Sequence, residues 1–412
     1  MGKLAITGGP QALPEGLGVT WPVVREGDEE GLLRVFRSGK WWRGGTLADQ
    51  AASECGRFER EFAAFQDAPH GLAVSNGTVA LELALRAAGV KPGDEVVAPA
   101  LSFVVSASAA LPLGGVPVFA DCDPRTFQPD ADSIEEAIGE RTRAIVIVHF
   151  GGYPADLDRI TRIAQKHGLP LIEDAAHAHG TQWRGRGVGS YGDFGTFSFQ
   201  MSKSLPCGEG GIVLTRDEAK WQAAYRYHNL GRPESSGFYD FHEMSSNFRL
   251  TDLQAAVLLV QFERLKELLP RRMETARRLS AGLRSIGGVE PLPEDPRITR
   301  RGYFYYLFRY DAGQFRGVPR ERFLEALKAE GVAPAGHSYG QAIHRYPLFQ
   351  NLPMPAEHGR AQYRKTSCPA AERAMTTELC ALPHWALLAE EARIDAVVAA
   401  VRKIKENAGE LL

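Results

Sequence analysis

The chain has 412 residues, with 48 Lys+Arg against 50 Asp+Glu and a formal net charge of −2. A chain this long buries roughly 75% of its unfolded surface, so its core needs neither disulfide nor metal. The balanced charge gives no support for a basic face that would bind nucleic acid, and 44% apolar with 24% charged residues excludes disorder and coiled coil. Cys55, Cys122, Cys207, Cys368 and Cys380 are odd in number and contain no CxxC pair, which suits free thiols in a reducing, cytoplasmic setting.

Val96 to Ala120 carries no charged residue and is long enough to cross a bilayer. Pro99, Pro112 and Pro117 would break a spanning helix. The stretch therefore reads as strand, helix and strand within a core, and no membrane association is expected.

In chain order, residues 1–27 form an N-terminal segment. An amphipathic helix at 28–38 leads into the Gly-bounded aromatic loop Lys40-Trp41-Trp42-Arg43, and a helix is expected at 56–66. Short apolar runs then alternate with helical patterns. Strands are predicted at 71–75, 95–98, 116–120, 144–150, 170–173, 194–199 and 211–215. Helices are predicted at 78–89, 103–111, 132–139, 155–167 and 216–228. Continuous apolar strands alternating with helices indicate an α/β fold with a mostly parallel central sheet covered on both faces. This makes 28–250 a large domain. Residues 251–412 read as a linking helix over 251–286, with a kink at Pro270, and a smaller α/β domain. That domain has a strand at 303–310 and helices at 320–331 and 388–406.

Ligands of such sheets bind beyond the carboxyl ends of the strands, so the residues there carry the functional signal. Ser75-Asn76-Gly77-Thr78 opens a helix, where a glycine admits an anion to backbone N–H groups. A turn glycine in an ordinary capped helix is the plainer alternative. Asp174, in Glu173-Asp174-Ala175-Ala176-His177-Ala178-His179, is a strand-end carboxylate suited to a cationic ring nitrogen, or simply a helix cap. The two histidines lack further His or Cys partners, so no metal is expected. Lys203 follows an aromatic strand and precedes Gly208, Gly210 and Gly211. Desolvated there, it would be a good imine-forming amine; a surface lysine in a Gly-rich loop is the plain alternative. Ser198 at the strand end could hold an anion. A phosphate cup, an acid for a pyridinium and an amine nucleophile, in that order, are the inventory that pyridoxal 5'-phosphate requires.

Five ordered stretches, SNGTVALELAL, GDEVVAPALSFVVSASA, EDAAHAHG, GTFSFQMSKSLPCGEGG and SSNFRLTDLQAA, resemble the DegT/StrS family of pyridoxal-phosphate-dependent sugar and aminocyclitol aminotransferases. The resemblance implies a fold-type I transferase. It implies Lys203 as the aldimine lysine, Asp174 at the pyridine nitrogen, Gly77, Thr78 and Ser198 at the phosphate, and Phe103 stacked on the ring. His177 stands where the family often has Gln, near the phenolic oxygen. Asn247 would reach the phosphate of a neighbouring subunit, making the protein a homodimer with shared sites. Trp41, Trp42 and Arg43, and His337, Tyr339 and His344 within HSYGQAIHRYPLF, resemble substrate loops of members acting on ketocyclitols. The expected reaction moves an amino group from glutamine or glutamate to a keto-cyclitol or keto-sugar, in two half-reactions. An aminohydroxybenzoate-type synthase and a cofactor-binding regulator without turnover are the alternatives. A nicotinamide dehydrogenase would need GxGxxG where SNGTVA stands.

Overall fold

The apolar runs form buried strands, and helices carry the chain between the first five of them. The computed structural model describes residues 2–234, 236–237, 239–333, 335–353 and 362–412. Its strands in the first part are β1 (His70–Val74), β2 (Glu95–Pro99), β3 (Val116–Ala120), β4 (Thr142–Val148), β5 (Leu171–Asp174), β6 (Gln182–Trp183), β7 (Arg186–Gly187), β8 (Phe194–Ser198) and β9 (Gly211–Thr215). Seven of them make one sheet in the order β1-β9-β8-β5-β4-β2-β3. All its pairings are parallel except the two that β9 makes with β1 and β8. The all-apolar character of β9 gave no sign of its reversed direction, because both faces of the sheet are covered.

The helices are α1 (Glu30–Ser38), α2 (Leu47–Ala52), α3 (Glu54–Phe65), α4 (Gly77–Ala87), α5 (Val105–Ser108), α6 (Ala131–Ala137), α7 (Leu157–His167), α8 (Glu218–His228), α9 (Asp252–Arg284), α10 (Arg320–Ala329), α11 (Pro347–Gln350), α12 (Pro369–Arg373) and α13 (Glu391–Glu406). Short polar residues end the preceding turns and cap the helices: Asn76 caps α4, Asp130 α6, Asp156 α7, Asp217 α8 and Thr251 α9. The helix expected over 103–111 is one turn, α5, followed by a 3-10 turn at Leu111–Leu113. Pro112 and the left-handed Gly114 stop it. The uncharged run thus becomes β2, α5 and β3, and no helix among the described residues is long and apolar enough to cross a membrane.

Pro270 does not interrupt α9, which runs 33 residues. Proline removes one helical hydrogen bond, costing about 3 kcal/mol in isolation. Leu265, Leu268 and Leu269 before or beside it, and Ala276, Leu279 and Leu283 after it, are buried and hold both halves in place. Beyond α9, β10 (Val289–Pro291), β12 (Tyr305–Tyr310) and β13 (Leu379–Pro383) form a small antiparallel sheet in the order β10-β12-β13, while β11 (Ile298–Arg300) joins β6 and β7. The N-terminal segment packs on this C-terminal part: Leu4, Leu13 and Leu17 share a core with Phe308, Phe323 and Val401. Buried Glu330 accepts from the N–H groups of Ala5 and Ala12.

Candidate active site

The strand ends open onto a cavity of about 700 Å³. Gly77 and Thr78 follow β1, Ser102 and Phe103 follow β2, Asp174 ends β5, Ser198 ends β8 and Lys203 lies in the following turn; all line it. Tyr339, Phe304 and Tyr305 close it from the small-sheet side.

Asp174 is fixed by its neighbours. The preceding residue, Glu173, is fully buried and accepts from His149 Nε2 at 2.9 Å and from the backbone N–H groups of Gly189, Tyr191 and Gly192. Burial opposes its charge, yet His149 and these donors hold Glu173 below the usual carboxylate value. Asp174 itself accepts from Ser106 Oγ at 2.6 Å and from the Ala176 N–H at 3.2 Å. Ser106 Oγ lies 2.8 Å from Ser102 Oγ. Burial is the largest influence on Asp174 and raises its pKa; Ser106, the Ala176 N–H and Lys203 pull the other way without overcoming it. A buried carboxylate so placed is stabilised by any cation brought to it.

Lys203 is the nearby cation. Burial pushes its ammonium down to about 8, and Asp174 opposes the shift. Its Nζ stands 4.4 Å from the centroid of the Phe304 ring.

At the start of α4, Asn76 Oδ1 accepts from the Val79 N–H, leaving the first turn's N–H groups toward the cavity. A side chain at Gly77 would meet Ser198 Cβ at 2.6 Å, and one at Gly211 would meet the Asn76 carbonyl at 2.5 Å. The helix therefore approaches β8 closely enough for one anion to touch Gly77, Thr78 and Ser198 together. The donor set, the carboxylate and the lysine fit pyridoxal phosphate.

Phe103 is 49% exposed although apolar, and its ring centroid lies 5.4 Å from that of Tyr339. His177 accepts from the Gly151 N–H at Nδ1 and lies 2.9 Å from Tyr339 Oη through Nε2. Burial, with Lys203 adding, depresses its pKa far below the ordinary histidine value. The ring is neutral, so Nε2–H donates to Tyr339.

His179 has a role that the sequence did not reveal. Nε2–H donates to the Ser198 carbonyl at 2.9 Å, and Nδ1 lies 3.2 Å from Ser204 Oγ. It ties the end of β8 to the residue after Lys203, and burial pushes its pKa down to about 3. Phe304 and Tyr305 were also missed. The run YFYYLFRY announces a strand, but nothing in it tells which rings meet the large sheet's cavity.

The remaining candidates lie elsewhere. Trp42 and Arg43 line a separate cavity of about 320 Å³ with His228, Asn229 and Arg249. Arg43 is buried and paired with buried Glu59, which also accepts from the Ala73 N–H. Trp41 stacks on Phe36 at 5.6 Å. His337 stands near Glu321 in another surface hollow. His344 is fully buried and bonds Glu372 at 2.9 Å. Asn247 is exposed, accepts from the Arg249 N–H and does not line this chain's own cavity.

Residues 26–402 match the DegT/DnrJ/EryC1/StrS aminotransferase family. The chain belongs to this family. It is 38% identical over 409 residues to the L-glutamine:2-deoxy-scyllo-inosose aminotransferase of Streptoalloteichus tenebrarius, covering 95% of each chain. It is 39% identical over 382 residues to the 3-amino-5-hydroxybenzoate synthase of Amycolatopsis mediterranei, covering 91% of this chain and 94% of the relative. Among solved structures, a 3-amino-5-hydroxybenzoic acid synthase superposes with a TM-score of 0.85 at 36% identity, over 96% of this chain and all of the other. The protein is an aminotransferase with the α/β architecture of these enzymes.

Proposed function

We propose that this aminotransferase uses pyridoxal 5'-phosphate to move the α-amino group of L-glutamine onto a keto-cyclitol. The observation that carries the cofactor is the buried Lys203 and Asp174 pair sharing one cavity with the Gly77 helix start. The relatives' names support the donor and the carbocyclic acceptor. Bound, the cofactor supplies an electron sink for deprotonation at the amino-bearing carbon.

The chain's residues do the rest. Gly77, Thr78 and Ser198 hold the phosphate at the positive end of α4. Asp174 keeps a proton on the pyridine nitrogen, and Ser106 orients its carboxylate. Phe103 covers one ring face. Lys203 Nζ, with a pKa near 8, is neutral often enough at neutral pH to accept the donor's α-proton and acidic enough to return it. His177 and Tyr339 hold one another at the cavity wall, where the acceptor's hydroxyls would sit.

A second copy completes the site in this reading. Tyr239, Phe241 and Met244, just before Asn247 in the chain, are 84%, 56% and 88% exposed. Trp41 and Trp42 are also about half exposed. Pairing two copies through these segments would bring Asn247, Trp41 and Trp42 toward the partner's cofactor and acceptor.

The test uses glutamine labelled with ¹⁵N at the α-amino group, offered with keto-cyclitols and with a nucleotide-linked keto-sugar. Label in an aminocyclitol supports the proposal. Label in the nucleotide sugar alone moves the acceptor class. An aromatic amine product favours the synthase reading, which the similarity to 3-amino-5-hydroxybenzoate synthase supports. Absence of α-proton exchange in the holoprotein would mark a binding protein without turnover.

A further inference from the structure

Phe304 and His384 are cross-strand neighbours at one end of the small sheet. Tyr305 pairs with Pro383 in the ladder, and the His384 N–H donates to the Phe304 carbonyl at 3.0 Å. Both rings point at the lysine turn. His384 Nε2 lies 3.1 Å from the carbonyl of Ser202, the residue before Lys203. Phe304 stacks on His177 at 4.1 Å and 21°, and on His384 at 5.9 Å and 25°.

His384 is itself held from behind. The Trp21 ring meets it edge-on at 4.4 Å, and the guanidinium of fully buried Arg272 lies 5.3 Å from the Trp21 ring. Burial, with the Arg272 charge adding, keeps the imidazole neutral. Its single proton is therefore on Nε2, where it donates to Ser202.

We infer that Phe304 and His384 are positioning residues for Lys203: the Phe304 ring faces its Nζ, and His384 fixes the carbonyl just before it. An aromatic ring favours the ammonium over the neutral amine. Lys203 has been taken out of water and has Asp174 as its counter-charge, so the ring offsets part of the burial that drives its proton off. A neutral imidazole anchors the turn without adding a charge beside the ammonium. The amine that must take and return a proton is thus set in place and in acidity by the small sheet, across the cavity from the strand that carries it. The inference rests on Lys203 being the working amine, but its test does not.

The test uses cofactor-free protein. Competitive acetylation of Lys203 across pH, read by mass spectrometry of its peptide, gives the amine's own titration. Phe304→Leu should lower the midpoint by about half to one and a half units, and Phe304→Tyr should restore it. A merely structural ring would leave the Leu and Tyr variants titrating alike, and a Leu variant titrating like wild type overturns the role of Phe304. For His384, hydrogen exchange of the segment 200–206 is the measure. His384→Ala should exchange about tenfold faster, and His384→Gln, which keeps a donor, should approach wild type. Unchanged exchange in the Ala variant overturns the anchor. If these shifts occur but borohydride fixes no cofactor on Lys203, the functional reading fails and the positioning stands.

Discussion

Replacing Gly77 with alanine adds one methyl group where α4 meets β8. The new Cβ would lie 2.6 Å from Ser198 Cβ and 3.1 Å from both its Cα and its Oγ. Ordinary carbon contacts are about 3.5–4.0 Å, so the helix start must retreat by about 1 Å. Ser198 cannot give way, because its backbone pairs with Gly211 and its carbonyl is held by His179. Overpacking of this kind costs about 1–3 kcal/mol. Alanine's better helix propensity returns up to about 1 kcal/mol, so the cofactor-free protein should lose about 3 kcal/mol at most. The phosphate suffers as well. Each charge-assisted hydrogen bond is worth about 1.5–3 kcal/mol, and losing one or weakening two predicts a cofactor Kd about 10- to 150-fold higher. Titrating cofactor-free protein with pyridoxal phosphate and following visible absorbance measures this. A Gly77→Ala protein that binds as tightly as wild type refutes the close-approach argument. So does one that melts far lower with an unchanged Kd.

Asp174→Asn keeps the shape but loses the charge beside the pyridine nitrogen. Steady-state kcat should fall about 10²–10³-fold, a size typical of losing one preorganised electrostatic contact. Arg43→Met strands the buried Glu59 carboxylate, whose pKa burial already raises against the pull of Arg43. Denaturant titration should show a loss of about 3–5 kcal/mol, with Glu59→Gln recovering much of it in the double variant. Lys203 gives a pH signature. Its folded pKa, about 8, lies below the ordinary lysine value, so between these values the unfolded chain binds more protons than the folded one. That deficit favours folding as pH rises. The stability of cofactor-free wild type relative to cofactor-free Lys203→Met should therefore rise by up to about 3 kcal/mol from pH 7 toward pH 10.5. A pH-independent gap in paired melting curves would contradict the buried ammonium.

The fold and the cluster of candidate residues around the cavity were readable for one physical reason. A strand buried on both faces must be a continuous apolar run, and the residue that ends it is free to be chemical. Asp174 and Ser198 end such strands, Gly77 opens the helix that follows one, and Lys203 lies in the turn after another. What was not readable depends on tertiary contact. Nothing in DAAHAHG distinguishes His177, facing the cavity, from His179, tying Ser198 to Ser204. YFYYLFRY hides Phe304 and Tyr305 among rings of the small core. The loop Trp41-Trp42-Arg43 looks like one exposed aromatic unit, yet Arg43 turns inward to Glu59, a partner 16 residues away. Pro270 reads as a kink in the long helix, and only the structure shows the buried leucines on either side that hold its two halves.

The central claim is that Lys203 carries the cofactor. Borohydride reduction of the holoprotein, followed by peptide mass spectrometry, tests it directly. The account predicts a phosphopyridoxyl group on the peptide containing Lys203 and on no other lysine. Reduction at a different lysine, or a cofactor that washes away after reduction, would contradict it.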